Sequence, residues 1–267
     1  MREQLEANIL ANLAYYRRSR LLLAFMLVFL LLTGLISLPS FFDNSGVQSF
    51  NTLNRIFSTL NDFLIFFAGG LGLFIISSHL RSRSLKMVFT KPCTPALWLA
   101  SAFLSAVAVS LLLNAVVLCS AVVMSFIWHV PVRVGLVFIT LDNFVASVGI
   151  IAYLMLLATL VHPAIAVTFA LIFTAENFYS AQVWMQAEIR SGNSSFFMRI
   201  LEHLFHYLYL LLPMVHAFSE KTESVYRSLR VAHGEWKYLL YSFGYALALS
   251  AFCYFLGLFA LQRRRHI

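Results

Sequence analysis

Charge is the scarcest property of this chain. Only 11% of its 267 residues are Asp, Glu, Lys or Arg, where a typical soluble domain carries about a quarter, so an ordinary water-covered surface is excluded. Cysteine is scarce too. Cys93, Cys119 and Cys253 are too few and too scattered to build a disulfide framework. No Gly-x-x-x-x-Gly-Lys-Ser/Thr loop occurs, so the chain does not cradle nucleotide phosphates in that manner. His-Glu-x-x-His and Gly-x-Ser-x-Gly are absent as well, and no spacing of Ser and His singles out a nucleophile and its base.

What fills the space is apolar. Hydrophobic residues make up 61% of the chain, including 26 Phe, beside 11 Tyr. That content excludes disorder, which requires few aromatics and high net charge. The expected class is an all-α, polytopic membrane protein. A helix needs roughly 20 mostly apolar residues to cross the hydrocarbon core. By that measure six transmembrane spans are expected, at about 21–40, 58–79, 97–128, 135–160, 163–182 and 238–261. The fourth and fifth are separated at Val161-His162-Pro163, because proline ends or kinks a helix just before itself. The first run is longer than a signal-peptide core and no small-x-small cleavage site precedes Asp43, so it is expected to stay attached. Segment 196–218 is apolar but carries Arg199, Glu202, His203, His206 and Pro213. Ionised groups at mid-bilayer cost on the order of 3 kcal/mol each, so this segment reads as an interfacial or re-entrant helix inside an external segment 183–237. The sequon Asn193-Ser194-Ser195 in it accepts a glycan only in a secretory context.

Residues 1–20 read as a separate unit. Leu5, Ile9, Leu13 and Tyr16 recur at helical spacing on one stripe, which suits an interfacial helix on the cytoplasmic leaflet. Residues 21–267 form the membrane domain. Its orientation follows from basic residues in short loops. Arg2, Arg17, Arg18, Arg20, Arg81, Arg83, Lys86, Lys91, Arg263, Arg264 and Arg265 lie on one side, eleven of the nineteen Lys and Arg. Arg55 and Arg133 represent the opposite short loops. Both termini are therefore expected in the cytoplasm. The net charge of +8 then marks topology and contact with anionic lipid, and nucleic acid is not an expected partner.

Three acidic residues fall inside the expected spans, Asp62, Asp142 and Glu176, all in the outer half by this topology. Buried carboxylates normally face a bundle interior, a partner or water, so one reading is a shared outer vestibule on a translocation path. The other is that each is capped or snorkelling near the interface. Asn61, Asn114, Asn143 and Asn177 add polar groups suited to tying helices together. His203 and His206 sit at i, i+3 beside Glu202, a spacing compatible with metal on one helix face, but without third and fourth ligands no metal is expected. Phe63, Phe66 and Phe67 form an aromatic-rich stretch of the second span, whose plain reading is lipid contact.

The connection between the second and third spans, residues 80–96, is the most informative stretch. His79-Leu80-Arg81-Ser82-Arg83-Ser84-Leu85-Lys86-Met87-Val88-Phe89-Thr90-Lys91-Pro92 reads as a short basic amphipathic helix stopped by proline. The pattern resembles the cytoplasmic loop of ABC-2 type (type-2 ATP-binding-cassette) permeases, with Ser84-Leu85 and Thr90-Lys91-Pro92 at the positions of that family's Thr-Leu-like pair and Thr/Ser-x-Pro step. Where the family usually has an acidic residue, this chain has His79 and Arg81. Tyr207-Leu208-Tyr209-Leu210-Leu211-Leu212-Pro213 is similar to the Leu-Pro element before the family's last span.

The resemblance implies a multi-pass permease subunit of an ABC transporter in the plasma membrane (bacterial inner membrane), most members being exporters. It would pair with a second permease subunit, identical or related, and with separate ABC ATPase subunits that bind the ATP and Mg; this chain itself would hold no cofactor and catalyse nothing. It also implies that residues 80–96 are a coupling helix, in which Arg81, Arg83, Leu85, Lys86, Met87, Thr90, Lys91 and Pro92 meet the ATPase. The alternatives are a membrane-embedded metal-dependent enzyme or assembly factor using His203 and His206, and a scaffold whose external segment binds a partner.

Overall fold

A computed structural model describes residues 2–41, 46–81, 94–173, 175–191, 196–211 and 233–264. Among the described residues it is 93% helical with no strands, which settles the all-α class. In chain order the helices are α1 (Arg2–Arg18), α2 (Leu21–Phe41), α3 (Gly46–Arg81), α4 (Pro95–Ile127), α5 (Val134–Leu160), α6 (Pro163–Ile172), α7 (Ala175–Arg190), α8 (Phe196–Leu211) and α9 (His233–Arg264).

Four of them contain stretches long and apolar enough to cross a membrane: Thr52–Ser78 in α3, Pro95–Ile127, Val134–Leu160, and Trp236–Arg263 in α9. A fifth is reached if α1 and α2, bent by 53° at their junction, count as one broken span. The expected fifth span differs. Residues 163–182 do not form one helix, because α6 stops at Phe173 and α7 begins afresh at Ala175. Ten residues of α6 rise only about 15 Å, half of a hydrocarbon core.

Local signals explain most boundaries. Thr94 caps α4, its hydroxyl accepting from the Leu97 N–H at 3.3 Å, and Pro95 occupies the first turn, where its missing N–H has no cost. His162 does the same for α6, its Nδ1 accepting from the Ala164 N–H, again with proline next. The α4 end closes as a Schellman turn: Val130 N–H reaches Ser125 O at 2.9 Å and His129 N–H reaches Phe126 O. That turn needs a left-handed residue, and His129 supplies it at φ 53°. Arg20 plays the corresponding part at the α1–α2 bend with φ 58°.

The bundle is built on α3 and α5, which lie in close contact, with α4 packed on both, α9 on α5 and α4, and α2 on α3. Glycine permits the closest approach. A Cβ at Gly69 would lie 2.5 Å from Leu154, and one at Gly72 would lie 2.9 Å from Met155 and 3.2 Å from the Ile151 carbonyl. Small residues at a helix crossing are how membrane helices gain packing where lipid offers no hydrophobic drive. The same contacts give direction. Gly69 meets Ile150 and Leu154 while Gly72 meets Ile151 and Met155, so α3 and α5 run the same way. Helix α9 also runs with α5, since Trp236 stacks edge-on against Phe138, Gly149 faces Leu249, and Gly257 lies beside Leu156 and Thr159. The chain between Leu160 and His233 must therefore travel back along the bundle. Helix α6 begins that return, held against α5 by Tyr153, whose hydroxyl donates to Phe173 O at 3.3 Å.

The N-terminal stripe is covered by protein rather than by a lipid surface alone. Helix α1 packs on α4, Asn12 and Tyr16 are buried, and the Tyr16 hydroxyl donates to Leu71 O of α3 at 2.8 Å. Phe74 stacks with Tyr15 at 5.5 Å. On α2, Phe25 sits against Phe63 and Phe67. Phe63 and Phe67 are thus packed inside the subunit, and Phe66 alone of the three is exposed.

Candidate functional site

Polar side chains inside an apolar bundle are the features that call for an account, because each costs free energy unless it is satisfied. Most hydroxyls here are satisfied locally. Ser105, Ser125, Thr140 and Ser147 donate to the carbonyl four residues back at 2.8 Å each. Asn114 and Asn143 reach further. Asn114, on α4, donates to Ser110 O at 2.9 Å and accepts from Asn143 of α5 at 2.9 Å. This is the helix tie expected of asparagine in a span. Asn177 instead closes a turn, donating to Ile172 O.

Asn61 differs from both. It is buried at 6% exposure on α3, and both its amide nitrogen and its oxygen lack a partner among the described residues. Its neighbour Asp62 points to the outside of the bundle and takes part in an interaction. Asp142 lies half-buried on α5. The main chain of Glu176 belongs to α7, but its side chain lies outside the described residues. Of the three acidic residues picked out as a vestibule, two thus stand on the central helix pair. Arg81 ends α3; its side chain, and Arg83, Leu85, Lys86, Met87, Thr90, Lys91 and Pro92, lie outside the described residues.

The second polar cluster sits between α7 and α8, which pack on each other. Gln182 and Gln186, one turn apart on α7, both donate through Nε2 to Glu202 Oε1 of α8, at 3.2 and 2.9 Å. Gln182 Nε2 also lies 3.1 Å from His206 Nδ1, and His203 Nδ1 lies 2.7 Å from Glu202 Oε2. These amide donors, Gln186 first, then Gln182, hold the Glu202 carboxyl below its ordinary range, with His203 adding to the effect. The seam is mixed: Gln182, Gln186 and Glu202 share it with Phe178, stacked on Phe205 at 4.9 Å, while Trp184, Phe196, Phe197, Ile200, Leu204 and Tyr207 are exposed. A single helix period identifies Glu202 and the two histidines but not their glutamine partners, which come from another helix. No group of three His, Cys, Asp or Glu side chains gathers to hold a metal ion among the described residues.

The chain is an all-helical protein with several helices long and apolar enough to cross a membrane. No family model, no curated protein and no solved structure matches it.

Proposed function

We propose that the chain is the membrane-spanning subunit of an ABC-2 type exporter, driven by ATPase subunits carried on separate chains. The observation that carries this reading is the basic, proline-stopped stretch 80–96, which resembles the coupling helix of that family. Its setting agrees. It joins the end of α3 to the capped start of α4, so force applied to it acts directly on two of the bundle's central helices. ATP-driven closure of the ATPase pair would press on Arg81, Arg83, Lys86 and Lys91 and change the packing of α3 against α4 and α5. Cargo would leave between two permease protomers, past the outer-half carboxylates Asp62, Asp142 and Glu176. The sixth crossing is completed in this reading by the broken return through α6 and α7. Both termini face the cytoplasm, and the α7–α8 hairpin lies at the outer interface with its exposed aromatic residues in lipid.

The test is co-purification. The intact protein extracted from native membranes in mild detergent should bring an ATP-hydrolysing subunit with it. Replacing Leu85 and Met87 together with Asp should cut that association at least tenfold while the protein still inserts and elutes as a single species. Association unchanged by the double substitution would remove the docking role from residues 80–96.

A further inference from the structure

One atom of Gln182 serves two acceptors on α8. Its Nε2 lies 3.2 Å from Glu202 Oε1 and 3.1 Å from His206 Nδ1, and the side chain is buried at 7% exposure. The Glu202 carboxyl is held below its ordinary range, so at neutral pH it is ionised and only accepts hydrogen bonds. The amide atom facing it is therefore the nitrogen and not the oxygen. An amide nitrogen in turn only donates, so His206 Nδ1 is an acceptor. That fixes the state of the imidazole in this seam: neutral, with its proton on Nε2.

The arrangement does not survive a second proton on His206. An imidazolium donates from both ring nitrogens, and its Nδ1–H would then face an amide group that also only donates. Turning the Gln182 amide over brings its oxygen to His206, but sets that oxygen against the Glu202 carboxylate, where neither partner donates. One buried atom cannot suit both Glu202 and a charged His206. The neighbouring contacts respond differently. Gln186 is neutral and keeps its bond to Glu202 Oε1 at 2.9 Å. His203 lies 2.7 Å from Glu202 Oε2, and a proton on it strengthens that bond by adding charge, but both residues belong to α8 and their bond does not cross the seam. Tyr207 meets His206 edge-on at 5.9 Å. Glu188 and Arg190 follow Gln186 along α7, toward the Arg199 end of α8 and away from His206; the side chain of Glu176 lies outside the described residues.

We propose that Gln182, Glu202 and His206 form an acid-sensitive latch between α7 and α8, which slackens when His206 takes up a proton. Histidine titrates between about pH 5 and 8. Bonding across the seam is thus complete above that range and is reduced as pH falls through it, before Glu202 itself is neutralised. Which compartment the latch reads rests on the proposed topology, in which the hairpin stands at the outer interface; the chemistry of the latch does not.

Two measurements on the intact protein in lipid nanodiscs test it. Nitrogen NMR of histidine-labelled wild type should show His206 as the Nε2–H tautomer at about pH 8. Amide hydrogen exchange in α7 and α8, corrected for intrinsic rate, should rise about tenfold between roughly pH 7.5 and 5.5, the size expected when one hydrogen bond to a charged group is lost. His206→Gln carries no titrating group and should show no such rise, whereas His203→Gln should keep it. An Nδ1–H tautomer at the higher pH, no step in the wild type, or a step of equal size in His206→Gln overturns the latch. The tautomer is read on the wild type alone, so a poorly folding variant does not shelter the proposal. In sealed vesicles, a step produced only by acid on the cytoplasmic side keeps the latch and overturns its outer placement. Association with an ATPase is a separate readout that bears on the exporter reading and leaves the exchange result standing.

Discussion

Single residues in this protein are most informative where they break a local rule. His129 takes a left-handed conformation that glycine adopts freely and that costs other residues on the order of 1 kcal/mol. It does so because the Schellman turn at the end of α4 places its closing bonds around that position. Replacing His129 with Gly should therefore raise unfolding stability by about 0.5–1 kcal/mol, read as a higher midpoint in detergent thermal melts. A lower midpoint would mean that the imidazole itself makes a stabilising contact. The turn was legible in outline, since the run of apolar residues ends near Trp128. The conformation was not, because Trp-His-Val-Pro contains no glycine to announce it. Asn61 and Asn114 make the same point inside the membrane. Both look alike in sequence, and only packing decides that Asn114 finds Asn143 while Asn61 finds no partner among the described residues.

At the scale of elements, the α3–α5 contact is set by where glycine falls along one face. Gly72 faces Met155 and the Ile151 carbonyl, while a Cβ on Gly70 would meet nothing within 4 Å. Gly72→Ala should cost about 1–3 kcal/mol through overpacking against a backbone atom that has little room to give. Gly70→Ala should be neutral or stabilise by up to about 1 kcal/mol, because it only removes chain entropy and adds helix propensity. Unfolding midpoints for the two variants should thus move in opposite directions or differ clearly, and equal losses would show that the register is wrong.

The α7–α8 hairpin carries the pH dependence. Glu202 titrates below its ordinary range in the folded protein, so the folded state favours the ionised form. Its hydrogen bonds to Gln186 and Gln182 contribute stability that is present at neutral pH. That stability is lost as pH falls below the usual glutamate range, about pH 4.3. Amide hydrogen exchange across α8, corrected for intrinsic rate, should rise in that window in the wild type, while Glu202→Gln should show no acid-dependent step. A step of equal size in both would assign the transition to another group. The amphipathic character of residues 196–211 was readable from spacing. Its partner α7 is not, because the expected span 163–182 takes in residues 175–182 and leaves 183–190 to the external segment, and the break at Phe173 carries no proline or glycine.

For the whole molecule, helix direction does more than helix count. Parallel α3, α5 and α9, with α4 running against them, require the segment between α5 and α9 to bring the chain back over the thickness of the bundle. The sequence expected a straight span there. The structure uses two shorter helices, and the N-terminal helix, expected on the cytoplasmic leaflet, is also tied to α3 through Tyr16 and Leu71.

Composition and spacing alone determined that this chain is helical and built for an apolar surrounding, and they located α4, α5 and α9 to within about five residues, whereas α3 begins at Gly46, well before its expected start at 58. The reason is that a bilayer leaves backbone groups no external partner, so long uncharged runs have one solution. Which buried side chains are paired was decided only by the tertiary structure. Whether a hydrogen bond forms across two helices depends on their register and closeness of approach, fixed here by Gly69 and Gly72, and neither quantity is encoded in the period of any one helix.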